Sequence, residues 1–87
     1  MYEVLLMKKA QRFYGESEPP LARKLARCFQ QLEQNPRGHS NVKILSGELN
    51  GYFRYRVGDY RVLYRIDEKE RVVLVEKIAH RSEVYKG

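Results

Sequence analysis

Between Phe53 and Ile66 the chain alternates large apolar or aromatic side chains with arginines, interrupted by Gly58-Asp59 and with Leu63 at one arginine position. A period of two is the signature of an extended strand whose two faces differ in chemistry. Gly58-Asp59 has hairpin turn chemistry, so residues 52–57 and 60–66 are predicted to be two antiparallel strands. A two-residue loop fixes their register, placing Val57 opposite Tyr60 and Arg56 opposite Arg61. Phe53, Tyr55, Val57, Tyr60, Val62, Tyr64 and Ile66 then share one face. Arg54, Arg56, Arg61 and Arg65 share the other.

The remaining chain supplies what covers the apolar face. Residues 1–7 read as a short strand, and residues 8–14 as a short helix closed by Gly15 as its C-cap. Pro19 and Pro20 suit the first turn of a second helix. In that helix Leu21, Leu25, Cys28 or Phe29, and Leu32 recur at helical spacing, and Asn35-Pro36-Arg37-Gly38 stops it. Residues 42–45 form a short strand ended by Ser46-Gly47. A turn at Asp67-Glu68-Lys69-Glu70 leads into a last strand from Arg71 to Ile78. Strict alternation puts Val73 and Val75 on the apolar face. It leaves Leu63, Val72, Leu74 and Glu76 exposed among the arginines, with Glu76 in reach of Arg61. The fold class is therefore α+β: an N-terminal strand and two helices packed on one face of a small, mostly antiparallel twisted sheet. Eighty-seven residues make one domain, spanning 1–87, without repeats or linkers.

Hydrophobic residues at 43% and charged residues at 32% describe a folded soluble chain. No apolar run approaches the roughly 20 residues of a membrane span, and Lys8-Lys9 interrupts any leader sequence. A cytoplasmic protein without membrane partners is expected. Seventeen Lys and Arg against eleven Asp and Glu give a net charge of +6, which calls for a polyanionic partner such as nucleic acid. Cys28, on the apolar helix stripe, reads as a buried small hydrophobe. One Cys with His39 and His80 cannot fill a four-ligand zinc site, so neither a structural metal nor a cofactor is expected.

Two arginines directly opposite each other are destabilising by a few tenths to about 1 kcal/mol. A sheet built for stability would place a carboxylate at one of those positions, and Glu76 alone cannot neutralise four guanidinium groups. Four planar donor forks on one face match phosphate geometry. The tail adds His80, able to carry a proton near neutral pH, Arg81, able to hold a phosphate, and Tyr85, able to stack on a base.

Three blocks carry a family pattern: Lys43-Ile44-Leu45-Ser46-Gly47, the run from Gly51 through Ile66, and Ile78-Ala79-His80-Arg81-Ser82-Glu83-Val84-Tyr85. Together they strongly resemble the RelE family of the RelE/ParE toxin superfamily, over nearly the whole chain. The resemblance implies a type II toxin of a bacterial toxin–antitoxin pair, an mRNA interferase that enters the A site of the 70S ribosome and cleaves translated mRNA. In the implied reaction the ribose 2′-hydroxyl attacks the adjacent phosphate without a metal, leaving a 2′,3′-cyclic phosphate and a 5′-hydroxyl. It also implies a cognate RelB-like antitoxin and a hetero-oligomeric complex with it. Arg61 and Arg81 match the family's active-site arginines and Tyr85 its C-terminal tyrosine. Arg54 lies where members often have a catalytic lysine, and Tyr52 where some have another. Arginine stays protonated in proteins, so Arg54 stabilises charge but cannot be the general base. His80 and Tyr85 are the candidate bases, and Arg81 is the group near the leaving 5′ oxygen. Tyr52, Arg56, Arg65 and Lys77 complete the set as RNA- and phosphate-binding residues. Two alternatives stand beside this reading: a ParE-like DNA gyrase inhibitor without nuclease activity, and a non-catalytic RNA-binding module.

Overall fold

The computed structural model describes residues 1–86. Along the chain run β1 (Glu3–Leu6), α1 (Lys8–Glu16), α2 (Pro19–Gln34), β2 (Val42–Ile44), a 3₁₀ turn at Gly47–Leu49, β3 (Phe53–Val57), β4 (Tyr60–Asp67) and β5 (Val72–His80). The five strands form one sheet in the order β1-β5-β4-β3-β2. The two helices carry the chain from one sheet edge to the other, and an antiparallel meander returns it to lie beside β1. That route makes β1–β5 parallel and every other pairing antiparallel. The α+β arrangement expected from the sequence is the one observed.

The hairpin register is also as expected, with Val57 opposite Tyr60 and Arg56 opposite Arg61. Gly58 takes a φ of 58°, the left-handed region that this tight turn needs and that a Cβ disfavours. The apolar face packs on the helices as one cluster built from Leu25, Cys28 and Leu32 of α2, Ala10 of α1, and Tyr55, Val57, Val62, Tyr64, Val73, Val75 and Ile78 of the sheet. Burial pushes the Cys28 thiol far up, so it remains a protonated hydrophobe. Tyr64 is completely buried, and its hydroxyl donates a 2.7 Å hydrogen bond to the Pro36 carbonyl oxygen in the loop after α2.

Two expectations are corrected. Gly15 is not a C-cap but lies inside α1, which continues to Glu16. The stop comes from Ser17, whose hydroxyl donates to the Phe13 carbonyl oxygen and whose N–H donates to that of Tyr14. The extended residue required ahead of Pro19 is Glu18, so the helix has room for two more residues.

The second correction concerns β5. Leu63 pairs with Lys77 but Tyr64 pairs with Val75, so Glu76 is an extra residue in a β-bulge. Past the bulge the strand's phase inverts. Ile78 rather than Lys77 joins the core, and Glu76 meets Arg65 instead of Arg61, at 2.8 Å. At the far end of the sheet, Glu68 accepts hydrogen bonds from Tyr2 and Arg71 and pairs with Arg37 at 2.6 Å. These partners, the Tyr2 hydroxyl foremost, hold its carboxyl below the usual range.

Candidate functional site

The sheet face away from the helices is set by strand pairing. One row across it runs Lys43, Arg54, Leu63, Lys77; the next, nearer the hairpin, runs Arg56, Arg61, Ala79. In this second row Arg61 sits between Arg56 and Ala79. Its Nη1 donates to the carbonyl oxygens of Gly58 at 2.8 Å and Tyr60 at 2.9 Å, which aims the guanidinium along the turn. Arg54 is held by a 2.9 Å bond from its Nη1 to the Asn41 carbonyl oxygen, while Arg56 is exposed. Partial burial, then the charges of Arg54, Arg56 and Arg81, push the Arg61 guanidinium below its usual value, with Tyr85 acting the other way. Arg61 therefore lies in the field of three other arginines and of the tail tyrosine, and it remains a cation.

The pairing of arginines elsewhere in this chain gives the cluster its meaning. Arg37 and Arg71 share Glu68, and Arg65 has Glu76. Among the described residues Arg54, Arg56 and Arg61 enter no ion pair, and Arg81 reaches Asp59 only at 4.0 Å, with both side chains well exposed. Arg37, Arg65 and Arg71 find carboxylates; among the described residues Arg54, Arg56 and Arg61 do not, nor do Arg12, Arg23 and Arg27 of the helices, so what marks the hairpin end is that its guanidinium groups are gathered on one sheet face. Guanidinium forks concentrated in this way can hold an anion, and their planar geometry fits a phosphate.

The candidate residues divide by this geometry. Arg54, Arg56, Arg61, Arg81 and Tyr85 are brought together. Arg65 is set apart: Glu76 holds its fork and raises its pKa, and its guanidinium lies 5.7 Å over the Tyr52 ring. Tyr52, Leu63, Val84 and Tyr85 line a groove of about 630 Å³ beside the cluster. Leu63 is buried rather than exposed, because the C-terminal tail folds back over it, and Val72 and Leu74 are half-buried. Lys77 does not extend into solution; its ammonium donates to the carbonyl oxygens of Glu83 and Lys86.

His80 is not brought to the arginines. The inverted phase of β5 places it opposite Tyr60, whose ring packs on Phe13 of α1, and its imidazole meets the Tyr60 ring edge-on at 5.6 Å. Its Nδ1 accepts the Ser82 N–H at 3.2 Å and lies 2.9 Å from the Ser82 hydroxyl. Sequence reasoning passed over Val84, which is 2% exposed and anchors the tail beside Leu63. One apolar residue among polar neighbours carries no periodic signal. The bulge did leave one: adjacent polar residues Glu76-Lys77 interrupt an otherwise apolar strand.

Comparison with known proteins bears on the family and the fold. Residues 7–85 match the family model described as the ParE toxin of the type II toxin–antitoxin system parDE. A curated relative, Toxin RelG of Mycobacterium tuberculosis (strain ATCC 25618 / H37Rv), is 43% identical over 44 residues. That match spans 51% of this chain and about half the length of the relative, also 51%. Among solved structures, the toxin–antitoxin complex RelBE2 from Mycobacterium tuberculosis is similar with a TM-score of 0.79 and 31% identity, over 92% of this chain and 98% of that one. The archaeal RelE–RelB complex from Pyrococcus horikoshii OT3 has a TM-score of 0.80 and 26% identity, over 95% and 98% of the two chains.

Proposed function

Since the chain belongs to the ParE toxin family of type II toxin–antitoxin systems, within the RelE/ParE superfamily, we propose that it is a ribosome-dependent endoribonuclease that cleaves mRNA during translation. The observation that carries this reading is Arg61 amid Arg54, Arg56 and Arg81, a cluster in which, among the described residues, only Arg81 meets a carboxylate, Asp59 at 4.0 Å. In the proposed reaction the ribose 2′-oxygen loses its proton and bonds to the adjacent phosphorus. The bond from phosphorus to the 5′ oxygen breaks, and that oxygen gains a proton. Charge accumulates on the non-bridging oxygens as the fifth bond forms, and donors fixed beforehand stabilise it most. Arg61 and Arg54, each anchored to a backbone carbonyl, fit that role. Arg81, exposed beside the hairpin turn, is free to follow the leaving oxygen. Of the two candidate proton carriers, Tyr85 shares the arginine face and His80 lies behind it, so the proposal assigns proton transfer or base stacking to Tyr85. The whole unit 1–87 acts as one toxin domain, and a translating ribosome as target places its action in the cytoplasm.

The test is primer extension on a translated message after induction, beside a message whose start codon is removed. Cuts within the translated frame alone are expected, and intact message in both arms overturns the assignment. The family model is described as a ParE toxin, which supports a second reading: inhibition of DNA gyrase without RNA cleavage. A supercoiling assay separates the two.

An antitoxin partner follows from the same face. Leu5 and Met7, 42% and 43% exposed, lie toward the β1 edge of the sheet, Leu5 in the row of Leu74 and Arg65, and Met7 lining the groove with Leu63 and Tyr85. An acidic amphipathic segment would bury such anchors and pair its carboxylates with the arginines. Both structures described above are toxin–antitoxin complexes. Hydrogen exchange should therefore show added protection between Tyr52 and Arg65, or between Val72 and Glu76, when the antitoxin binds. Unchanged exchange in both segments overturns the covering role.

A further inference from the structure

The bulge at Glu76 turns two consecutive side chains of β5 to the open face of the sheet. Glu76 is used by Arg65. Lys77 is used by the tail: its Nζ donates to the Lys86 carbonyl oxygen at 2.7 Å and to the Glu83 carbonyl oxygen at 3.3 Å. These two carbonyls bracket Val84 and Tyr85. Two backbone bonds brace the same turn, from the N–H groups of Glu83 and Val84 to the His80 carbonyl oxygen. Val84 is 2% exposed and lines the groove with Leu63, while Tyr85 is 52% exposed. Residues 81–86 have little contact area of their own, and ordering each residue costs roughly 1–2 kcal/mol of backbone entropy. One buried valine and two charge-assisted hydrogen bonds are what offset it.

We propose that Lys77 is the positioning residue for Tyr85: its ammonium clasps the C-terminal turn by the Glu83 and Lys86 carbonyls and so holds the phenol ring on the Arg61 side of the sheet. The inference rests on the reading of Tyr85 as part of the reactive face. It gives Lys77 a task other than contact with RNA, and it gives the β5 bulge a purpose. Paired in strict alternation without a bulge, the same sequence would turn Lys77 to the helices and leave the tail no clasp. The ammonium acts through the tail, not on the phosphate.

Lys77→Met keeps most of the apolar stem and removes the donor. In the purified chain, amide exchange at Val84 and Lys86 is expected to quicken by about tenfold, the scale of one lost charge-assisted bond at a half-buried site. Exchange at Val62 and Val73 in the core should stay as it was. Val84→Ala should loosen the same amides by emptying the anchor's seat, and Lys77→Arg should retain most of their protection. In the primer-extension assay Lys77→Met is expected to lower cleavage in the parent, to leave it largely restored in Lys77→Arg, and to add no further loss in a Tyr85→Ala background. Unchanged exchange at Val84 and Lys86 in Lys77→Met overturns the clasp. An equal further loss in the Tyr85→Ala background also overturns it, because Lys77 would then act on RNA directly. If the parent cleaves no translated message, the proposed nuclease reading falls and the exchange arm alone decides the clasp.

Discussion

Replacing Arg61 by alanine is expected to lower translation-coupled cleavage by about 10²–10³, the loss typical of one preorganised charge-stabilising donor. Arg81→Ala should fall in the same range. Neither change should unfold the protein. Arg61 contributes two hydrogen bonds to turn carbonyls, one exposed and one part-buried, and stands opposite Arg56, so its removal also relieves a repulsion of up to about 1 kcal/mol. Arg81 is an exposed side chain whose ion pair stretches to 4.0 Å. Arg65→Ala serves as the internal contrast. Its fork is already committed to Glu76, so its loss should weaken cleavage far less than that of Arg61. Arg61→Lys keeps the charge but not the paired donors and should recover only part of the activity. The measurement is primer extension at matched expression, with urea denaturation as the check on folding. Wild-type cleavage and toxicity in both alanine variants would remove the arginine cluster from the chemistry.

The arginine face was legible because its logic is local. Period-two alternation names the faces, and a two-residue Gly58-Asp59 loop leaves one register, so Arg56 had to meet Arg61. The helices were legible from the stripe of Leu25, Cys28 and Leu32 and from the prolines that open α2. Where the reading failed, one extra residue was responsible. A bulge shifts everything beyond it by one position, so Glu76 went to Arg65, Lys77 to the tail and His80 to the Tyr60 side. Alternation counted from Val73 would have buried Lys77, and the adjacent polar pair Glu76-Lys77 was the one trace of the bulge in the sequence. Gly15 misled for a different reason. Glycine after a helical stretch is a stop signal only if it turns left-handed, and here Ser17 supplies the terminating hydrogen bonds two residues later. The tail was illegible as structure because its order depends on Val84 and Lys77 meeting through the fold, not on its own sequence pattern.

Tyr64 is expected to be the residue whose loss the fold tolerates least. It is completely buried in the middle of β4, stacks on Phe53 at 5.5 Å, and bonds the Pro36 carbonyl oxygen, joining the sheet to the end of α2. Tyr64→Ala should cost about 3–5 kcal/mol, as for other large aromatic truncations. A domain of this kind has about 5–15 kcal/mol in total, so this variant should be marginally folded or unfolded at 37 °C. Tyr64→Phe keeps the ring and removes only the hydroxyl, at a cost of about 1–2 kcal/mol for the Pro36 carbonyl left without its donor. The pH dependence follows from the same burial. Desolvation, then the neighbouring Cys28 and Tyr55 groups, pushes the Tyr64 phenol above its ordinary value near 10. A group whose folded pKa is raised keeps its full contribution below the unfolded value and loses it as pH rises through the folded one. Stability should therefore be flat near neutral pH and decline above about 10, and Tyr64→Phe should flatten that decline. Urea midpoints at pH 7 and in the alkaline range, for parent and Tyr64→Phe, measure both effects on one protein. Equal midpoints at pH 7 and an unchanged alkaline decline would mean that the hydroxyl carries neither.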